Sequence, residues 1–428
     1  MTARTGASAL RQFGAPMLAP MMALLLPLAA VWWAFPQDLP LWRSIAIVSA
    51  WAGSALLVVN LALMVRQPHL ARLLGGLETS YRWHHRSGLL AYLLLLCHPL
   101  ALALDGWLEA PRLAWETLAP WMQSWPVWLG WAGLLLLMFG LATTFALHLS
   151  YRRWRAFHFV LGLGVLLGLA HIYVLLGELE LILLLIVLAL LALAWRWIVS
   201  DLGVAAYPYR VTQVVRQATG MIEVLLTPSA TVLAVSPGQF VLVAFGDGDR
   251  YRGCGEYHPF TVSGIDANGT LRLAIKALGP CTQRIQNIEP GVWVRLQGPF
   301  GNFLTEAPTE PQLWVAGGIG ITPFIAALRA HPCVQATTLI YLFRSAADAA
   351  FLNELTSLAK TDPQFALLPV ETGKGPADFP QLLQQVERLS ERAVNICGPA
   401  PMVNALMPHL LQQGVASNAI HFERFGFR

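Results

Sequence analysis

Residues 84–98 read His-His-Arg-Ser-Gly-Leu-Leu-Ala-Tyr-Leu-Leu-Leu-Leu-Cys-His, an apolar run with imidazoles at both ends. An ionisable side chain inside a membrane-length segment is costly, so it marks a functional position by default. The arrangement recurs: His158 and His171 bracket a second apolar run, 13 residues apart where His84 and His98 are 14 apart. At 1.5 Å per residue either spacing covers ~20 Å of the ~30 Å hydrocarbon core. Two haems fit that interval one above the other, and imidazole is a usual axial ligand of haem iron. With the two helices parallel, His84 faces His158 near the cytoplasmic surface and His98 faces His171 near the outer one. Thirteen residues leave the second pair about 140° apart on an ideal helix, so this helix is expected to bend, tilt or bulge if the pairing holds.

Outward from this stretch, six runs are long and apolar enough to cross a bilayer: 17–35, 42–65, 86–104, 127–149, 157–177 and 179–199. The 428 residues are 56% hydrophobic and 12% charged, against roughly 25% charged in a soluble protein. Mean hydropathy is +0.55, and the apolar excess lies before residue 200. The net charge of +4 is too small for a nucleic-acid binder. Arg4 and Arg11, Arg66 to Arg86, Arg152 to Arg155 and Arg196 fall on alternate connections, which places them, both termini and the second half of the chain in the cytoplasm. The first run lacks a clean small-x-small cleavage site and is read as a retained span, kinked by Pro20 and Pro27. Cys97, Cys254, Cys281, Cys333 and Cys397 show no C-x-x-C spacing, so neither a disulfide framework nor a zinc site is expected.

Gly88, Gly162 and Gly168 lie three or four residues from the ligand candidates, on the same helical faces, where they admit either a macrocycle or a close helix. His85 competes with His84 but points about 100° away. His69 and His148 have no partner at comparable spacing and are read as interfacial.

After Tyr207 short alternating strands, at 209–215, 221–227 and 240–245, are broken by Pro-Gly and Asp-Gly turns, which reads as a small barrel ending near Phe303. From Gln312, apolar strands at 313–316, 338–343 and 394–397 alternate with helical stretches, the pattern of a parallel α/β sheet. The strand at 313–316 runs into Gly317-Gly318-Ile319-Gly320-Ile321-Thr322-Pro323-Phe324. Glycines there let the backbone approach a pyrophosphate, with Thr322 as helix cap and Pro323 as first helical residue. Arg344, after the strand at 338–343, reads either as a cation placed to meet a dinucleotide 2′-phosphate such as that of NADPH or as a solvated surface side chain.

Together with His258-Pro259-Phe260-Thr261, the histidine pairs make the chain resemble the NADPH oxidase and ferric reductase transmembrane family over nearly its whole length. The resemblance implies a bis-haem six-helix domain joined to a ferredoxin-NADP reductase-like module. It implies Thr261 near the flavin ring, with His258, Pro259 and Phe260 holding its surroundings. Lys276 to Thr282 resembles the family's K-x-x-G-x-x-T segment, which implies Lys276, Gly279 and Thr282 around the flavin pyrophosphate, and Gly298-Pro299-Phe300-Gly301 matches a further turn. Residues 317–323 resemble its GG-x-G-[IV]-TP loop. Cys397-Gly398-Pro399 resembles its CGP turn beside the nicotinamide, with Cys397 as a positioning residue. Glu423-Arg424-Phe425 resembles its terminal E-x-F element, so Phe425, or Phe427 two residues on, covers the flavin.

The fold expected is thus a six-helix transmembrane bundle (1–203, bis-haem), a flavin-binding β-barrel (204–306, FAD) and an α/β parallel-sheet nucleotide-binding domain (307–428, NADPH or NADH). The expected activity passes electrons from NAD(P)H through FAD and two b-type haems to dioxygen outside, giving superoxide, or to a ferric chelate. In relatives with oxidase activity a second histidine follows the outer ligand by one turn, and Leu102 stands there. Arg43 is the candidate for a positive charge favouring superoxide formation. A non-redox transporter or scaffold with a reductase-like tail is the reading of a different class. No regulatory domain or calcium loop is visible, so no obligatory protein partner is expected; the partners are the bilayer of a bacterial-type inner membrane and the small reactants.

Overall fold

The computed structural model describes residues 18–33, 35, 37–145, 149, 151–177, 180–305 and 307–424. Contacts within the chain separate it into two units, Met1–Val204 and Ala205–Arg428.

The first unit is helical: α1 (Leu18–Trp33), α2 (Leu41–Leu63), α3 (Leu77–Glu109), α4 (Trp125–Phe145), α5 (Tyr151–Leu176) and α6 (Glu180–Ala194), the last continued by a π-helical turn, Trp195–Asp201. Five of them are long and apolar enough to span a bilayer, and α1 is shorter, so the expected six is met by five spans and one partial helix among the described residues. The third helix differs most from expectation, running 33 residues and starting at Leu77 rather than near residue 86. Its first turns are polar, with Glu78 suited to a helix N-terminus, and apolarity alone does not register them. His84 therefore lies well inside the helix. Leu89, Leu93 and Leu100 of α3 are exposed, as lipid-facing side chains must be. Exposed Trp107, Trp115, Trp121, Trp125 and Trp128 cluster where α3 gives way to α4, the interfacial placement that an amphipathic ring prefers. Ion pairs close the ends: Arg43 meets Asp105 at 3.0 Å, and Arg155 and Arg196 share Asp201 at 3.1 and 3.3 Å.

The second unit opens with β1 (Tyr207–Ala218), β2 (Met221–Pro228), β3 (Phe240–Phe245), β4 (His258–Ile265), β5 (Leu271–Lys276) and β6 (Trp293–Phe300), closed into an antiparallel barrel in the order β1-β2-β5-β4-β3-β6. Val224, Val243, Val262, Leu273 and Leu296 fill it, fully buried. A short helix, α7 (Pro280–Ile285), follows β5. The remaining strands, β7 (Gln312–Gly317), β8 (Thr337–Phe343), β9 (Phe365–Glu371), β10 (Ala393–Gly398) and β11 (Ile420–Arg424), make a parallel sheet in the order β11-β10-β7-β8-β9. β7 is buried along its whole length, the signature of a parallel strand covered on both faces. Helices α8 (Thr322–Ala330), α9 (Leu352–Thr361) and α10 (Ala400–Gln412) accompany these strands.

One side chain joins the barrel to the sheet. Arg329 of α8 donates from Nη1 to Glu223 of β2 at 2.6 Å and to the Ser263 carbonyl of β4 at 2.9 Å. Its Nε and Nη2 grip Glu354 of α9 at 2.7 and 2.8 Å. Glu223 is only 2% exposed and also accepts from Ser263 Oγ and Gln217 Nε2. Burial by itself would lower the Arg329 pKa, but the hydrogen bonds to Glu354 and Glu223 outweigh it and hold the guanidinium above its usual value.

Candidate functional site

α3 and α5 bring His84 and His158 together with ring centroids 6.1 Å apart. A metal clamped between two imidazoles needs ~6 Å between ring centres, from two ~2 Å metal–nitrogen bonds and two ring radii. Nδ1 of His84 donates to the Asn60 carbonyl at 3.2 Å, that of His98 to the Ala46 carbonyl at 2.9 Å, and that of His171 to the Pro126 carbonyl at 2.8 Å. A carbonyl only accepts, so Nδ1 carries the proton and Nε2 keeps the lone pair a metal takes. Nδ1 of His158 lies 3.4 Å from the Thr144 hydroxyl, which donates to Gly140 and so accepts from the ring and from Trp154. Outer contacts of this kind orient metal-bound histidines. All four sequence-predicted ligands thus have the donor chemistry of haem axial ligands.

The neighbours differ from expectation in detail. Gly88 and Gly162 face protein, since a Cβ would meet Asn60 Nδ2 and Leu193 respectively, whereas nothing described lies within 4 Å of one on Gly168. Of these three, Gly168 alone has room for a Cβ, and its backbone packs against Gly133 of α4. Gly130, which sequence reasoning passed over, lets the His171 ring lie against α4. His85 is exposed and stands edge-on to His84 at 6.0 Å. His69 pairs with Arg72, and His148 lies outside the described residues. Arg43 is engaged by Asp105, a carboxylate only 6% exposed, which offsets its charge.

In the second unit, β4 starts at His258 and buries Thr261 opposite Phe240 of β3. The Phe260 ring sits 6.4 Å from those of Phe245 and His258. Nε2 of His258 is buried without a hydrogen-bond partner, and burial keeps the ring's pKa below the usual value. Lys276 ends β5, and beyond it the amides of Leu278 and Gly279 both donate to Thr282 Oγ1 at 2.9 Å. No atom of the described residues lies within 4 Å of a Cβ on Gly279, so the turn is open, and Lys276 Nζ is 3.9 Å from where Gly318 would carry one. The segment after β5 and the glycine loop after β7 therefore converge. The cysteines correct the sequence reading: Cys254 and Cys281 are joined in a disulfide, and their sulfurs lie within 4.8 Å of a His258 ring nitrogen. Folding brings together positions 27 apart, which no local spacing announces.

Gly318–Ile321 form a single 3-10 turn between β7 and α8. Thr322 is the first helical residue rather than the cap: Ile321 caps, and the Thr322 hydroxyl donates back to the Ile319 carbonyl at 3.0 Å. The extra 3-10 turn displaces the helix start by one residue. Gly320 is pressed on the end of β10, where a Cβ would run into the Cys397 carbonyl. Cys397 is fully buried with its sulfur 4.0 Å from Glu423, and Gly398 packs on Met402 with Pro399 capping α10. Arg344 is exposed beyond the end of β8. Phe425 and Phe427 lie outside the described residues.

Three family profiles match successive parts of this architecture. "Ferric reductase like transmembrane component" covers residues 49–169, "FAD-binding domain" 206–292 and "Oxidoreductase NAD-binding domain" 314–407. Together they match the NADPH oxidase and ferric reductase family. The order of the matches, a ferric reductase-like membrane component followed by FAD-binding and NAD-binding oxidoreductase modules, does not agree with the transporter or scaffold reading. "NADPH oxidoreductase" of Mycobacterium tuberculosis is 32% identical over 201 residues, 44% of this chain and 52% of the relative. "Toluate 1,2-dioxygenase electron transfer component" of Pseudomonas putida is 26% identical over 230 residues, 49% of this chain and 65% of the relative. The chain thus spans between 52% and 65% of the length of these two proteins. The flavohem-like FAD/NAD binding domain of nitric oxide dioxygenase from Vibrio cholerae is 21% identical over 51% of this chain and 98% of its own, with a TM-score of 0.46.

Sequence reasoning missed Asn60, whose Nδ2 donates to the His84 carbonyl at 2.8 Å and to Ser87 Oγ at 2.9 Å. A lone amide inside the apolar run 42–65 was the available signal. It also missed Thr144 and Arg329, which carry none.

Proposed function

We propose that this oxidoreductase carries electrons from cytosolic NADPH or NADH, through FAD and two b-type haems, to dioxygen outside, yielding superoxide. The observation that carries the reading is His84 facing His158 at 6.1 Å, with Nδ1 of all four intramembrane imidazoles turned to an acceptor. His84 with His158 would hold one haem and His98 with His171 the other, the first nearer the cytoplasm.

FAD fits the orphaned His258 Nε2 and the open turn over Gly279. When bound it accepts a hydride's two electrons and releases them singly, as a one-electron haem demands. His258, Pro259, Phe260 and Thr261 would flank its ring, and Lys276, Gly279 and Thr282 its phosphates. Gly317, Gly318, Gly320, Thr322 and Pro323 would admit the nicotinamide dinucleotide, with Arg344 on a 2′-phosphate. Cys397, Gly398 and Pro399 would position the nicotinamide, and Phe425 or Phe427 would cover the flavin until it arrives. The domains of this reading are 1–203, 204–306 and 307–428.

One observation favours a ferric chelate as acceptor: Asp105 offsets the Arg43 charge that would attract superoxide formation. The purified chain should show low-spin bis-imidazole haem absorption that converts to the reduced spectrum on adding NADPH; colourless protein would end the proposal. Dye reduction sensitive to superoxide dismutase identifies dioxygen as acceptor, and insensitivity the chelate.

A further inference from the structure

We infer that Cys254 and Cys281 form a reversible thiol–disulfide exchange site at the edge of the flavin cradle, with a dithiol as its reductant. Cys254 lies on the connection from β3 to β4, and Cys281 lies in α7 between Gly279 and Thr282 of the flavin segment. On the barrel side this connection is fixed by Glu289, which accepts from the Arg250 and Tyr251 amides at 2.7 and 3.1 Å, and by the buried Tyr251 ring. On the cradle side the disulfide ties it to Cys281 of α7.

Both cysteines are partly exposed, so a reductant can reach them. Arg284 Nη2 stands 3.9 Å from the Cys281 sulfur, which favours Cys281 as the departing thiolate. A thiolate of the dithiol attacks the Cys254 sulfur, the S–S bond breaks and Cys281 leaves. The reductant's second thiolate then displaces Cys254. Two electrons and two protons pass to the cysteine pair, and the reductant departs as its own disulfide. In a reducing cytoplasm a protein disulfide is typically transient and redox-sensing. The inference rests on the cytoplasmic placement of the module and on FAD binding at this cradle. With the bond closed, the connection is held beside the cradle; with it open, FAD dissociates faster.

The test uses the full chain in detergent across a graded dithiol/disulfide buffer. Alkylation after denaturation should count three thiols, Cys97, Cys333 and Cys397, in the oxidised form and five in the reduced form, with one midpoint and full reversal. FAD release should quicken about five- to tenfold over the same midpoint, the gain lost when one ordering step is no longer prepaid. Cys254→Ser and Cys281→Ser should release FAD at the reduced rate under all conditions. Five thiols at every buffer ratio would overturn the inference, as would equal FAD release in both states. A zinc ion bound one per chain and lost in Cys254→Ser would overturn it too, since Cys254, His258 and Cys281 would then be metal ligands. The thiol count is independent of flavin, so a chain that bound no FAD would defeat the proposed electron path while the count still decided the exchange.

Discussion

Arg329→Met removes the cation that joins barrel, sheet and α9 while keeping an unbranched apolar stem. Glu223 would then be left as a carboxylate 2% exposed, with Ser263 Oγ and Gln217 Nε2 as its remaining donors. Stripping one partner from a buried ion pair costs about 3–5 kcal/mol, because the other charge stays desolvated. The Glu354 half adds under about 1 kcal/mol, since that side chain is 38% exposed and water screens it. Two neutral donors still solvate Glu223, so the lower end, about 3 kcal/mol, is expected. For a unit of this size each kcal/mol moves the midpoint by about 2–4 °C, giving a fall of about 6–12 °C. Flavin-release fluorescence on the intact chain reads it, because that signal belongs to the second unit. Glu223→Gln combined with Arg329→Met should recover most of the loss. A single variant within about 1 °C of the parent, or a double variant no better than the single, would refute the account of Glu223 as a charge dependent on Arg329.

Three further outcomes follow from the geometry. Replacing His98 or His171 by Ala should leave one low-spin haem per chain where the parent has two, counted by pyridine haemochrome against protein; two haems in either variant would remove that pair as ligands. Gly320→Ala drives a methyl into the Cys397 carbonyl, so NADPH should no longer reduce the flavin while dithionite still does; rapid NADPH reduction would show that the loop yields. His258 is held below its usual pKa by burial, so the unfolded state binds its proton first: stability is complete above about pH 6.5 and declines as the pH falls toward the folded-state value. Midpoints compared between pH 7.5 and 5.5 should fall more steeply in the parent than in His258→Gln, and parallel slopes would contradict this sign.

The bilayer made part of this molecule easy to read. His84, His98, His158 and His171 stand out because lipid tolerates few ionisable groups, and hydrocarbon thickness limits their spacing. The glycine loop at 317–320 was legible because a strand, three glycines and a Thr-Pro helix start leave few other backbone paths. The start of α3 was not, since Leu77 to Trp83 form helix without being apolar throughout. Arg329 reads locally as a basic residue in the last turn of α8, and only the packed barrel supplies Glu223 and Ser263 as its partners. Cys254 and Cys281 escaped for the same reason: chain closure over 27 positions is a property of the tertiary fold.

The carbonyls that hold the imidazoles have a consequence for α2. Ala46 and Asn60 lie 14 positions apart, the same interval that separates His98 from His84 on the antiparallel neighbour. α2 therefore works as a ruler, gauging both rings through its main chain, where substitution of a side chain has little purchase. Adding or deleting one residue between those two marks would slide one anchor by about 1.5 Å and turn it by about 100°. The interval from 46 to 60 is thus a length that this protein can alter only by refitting α3 at the same time.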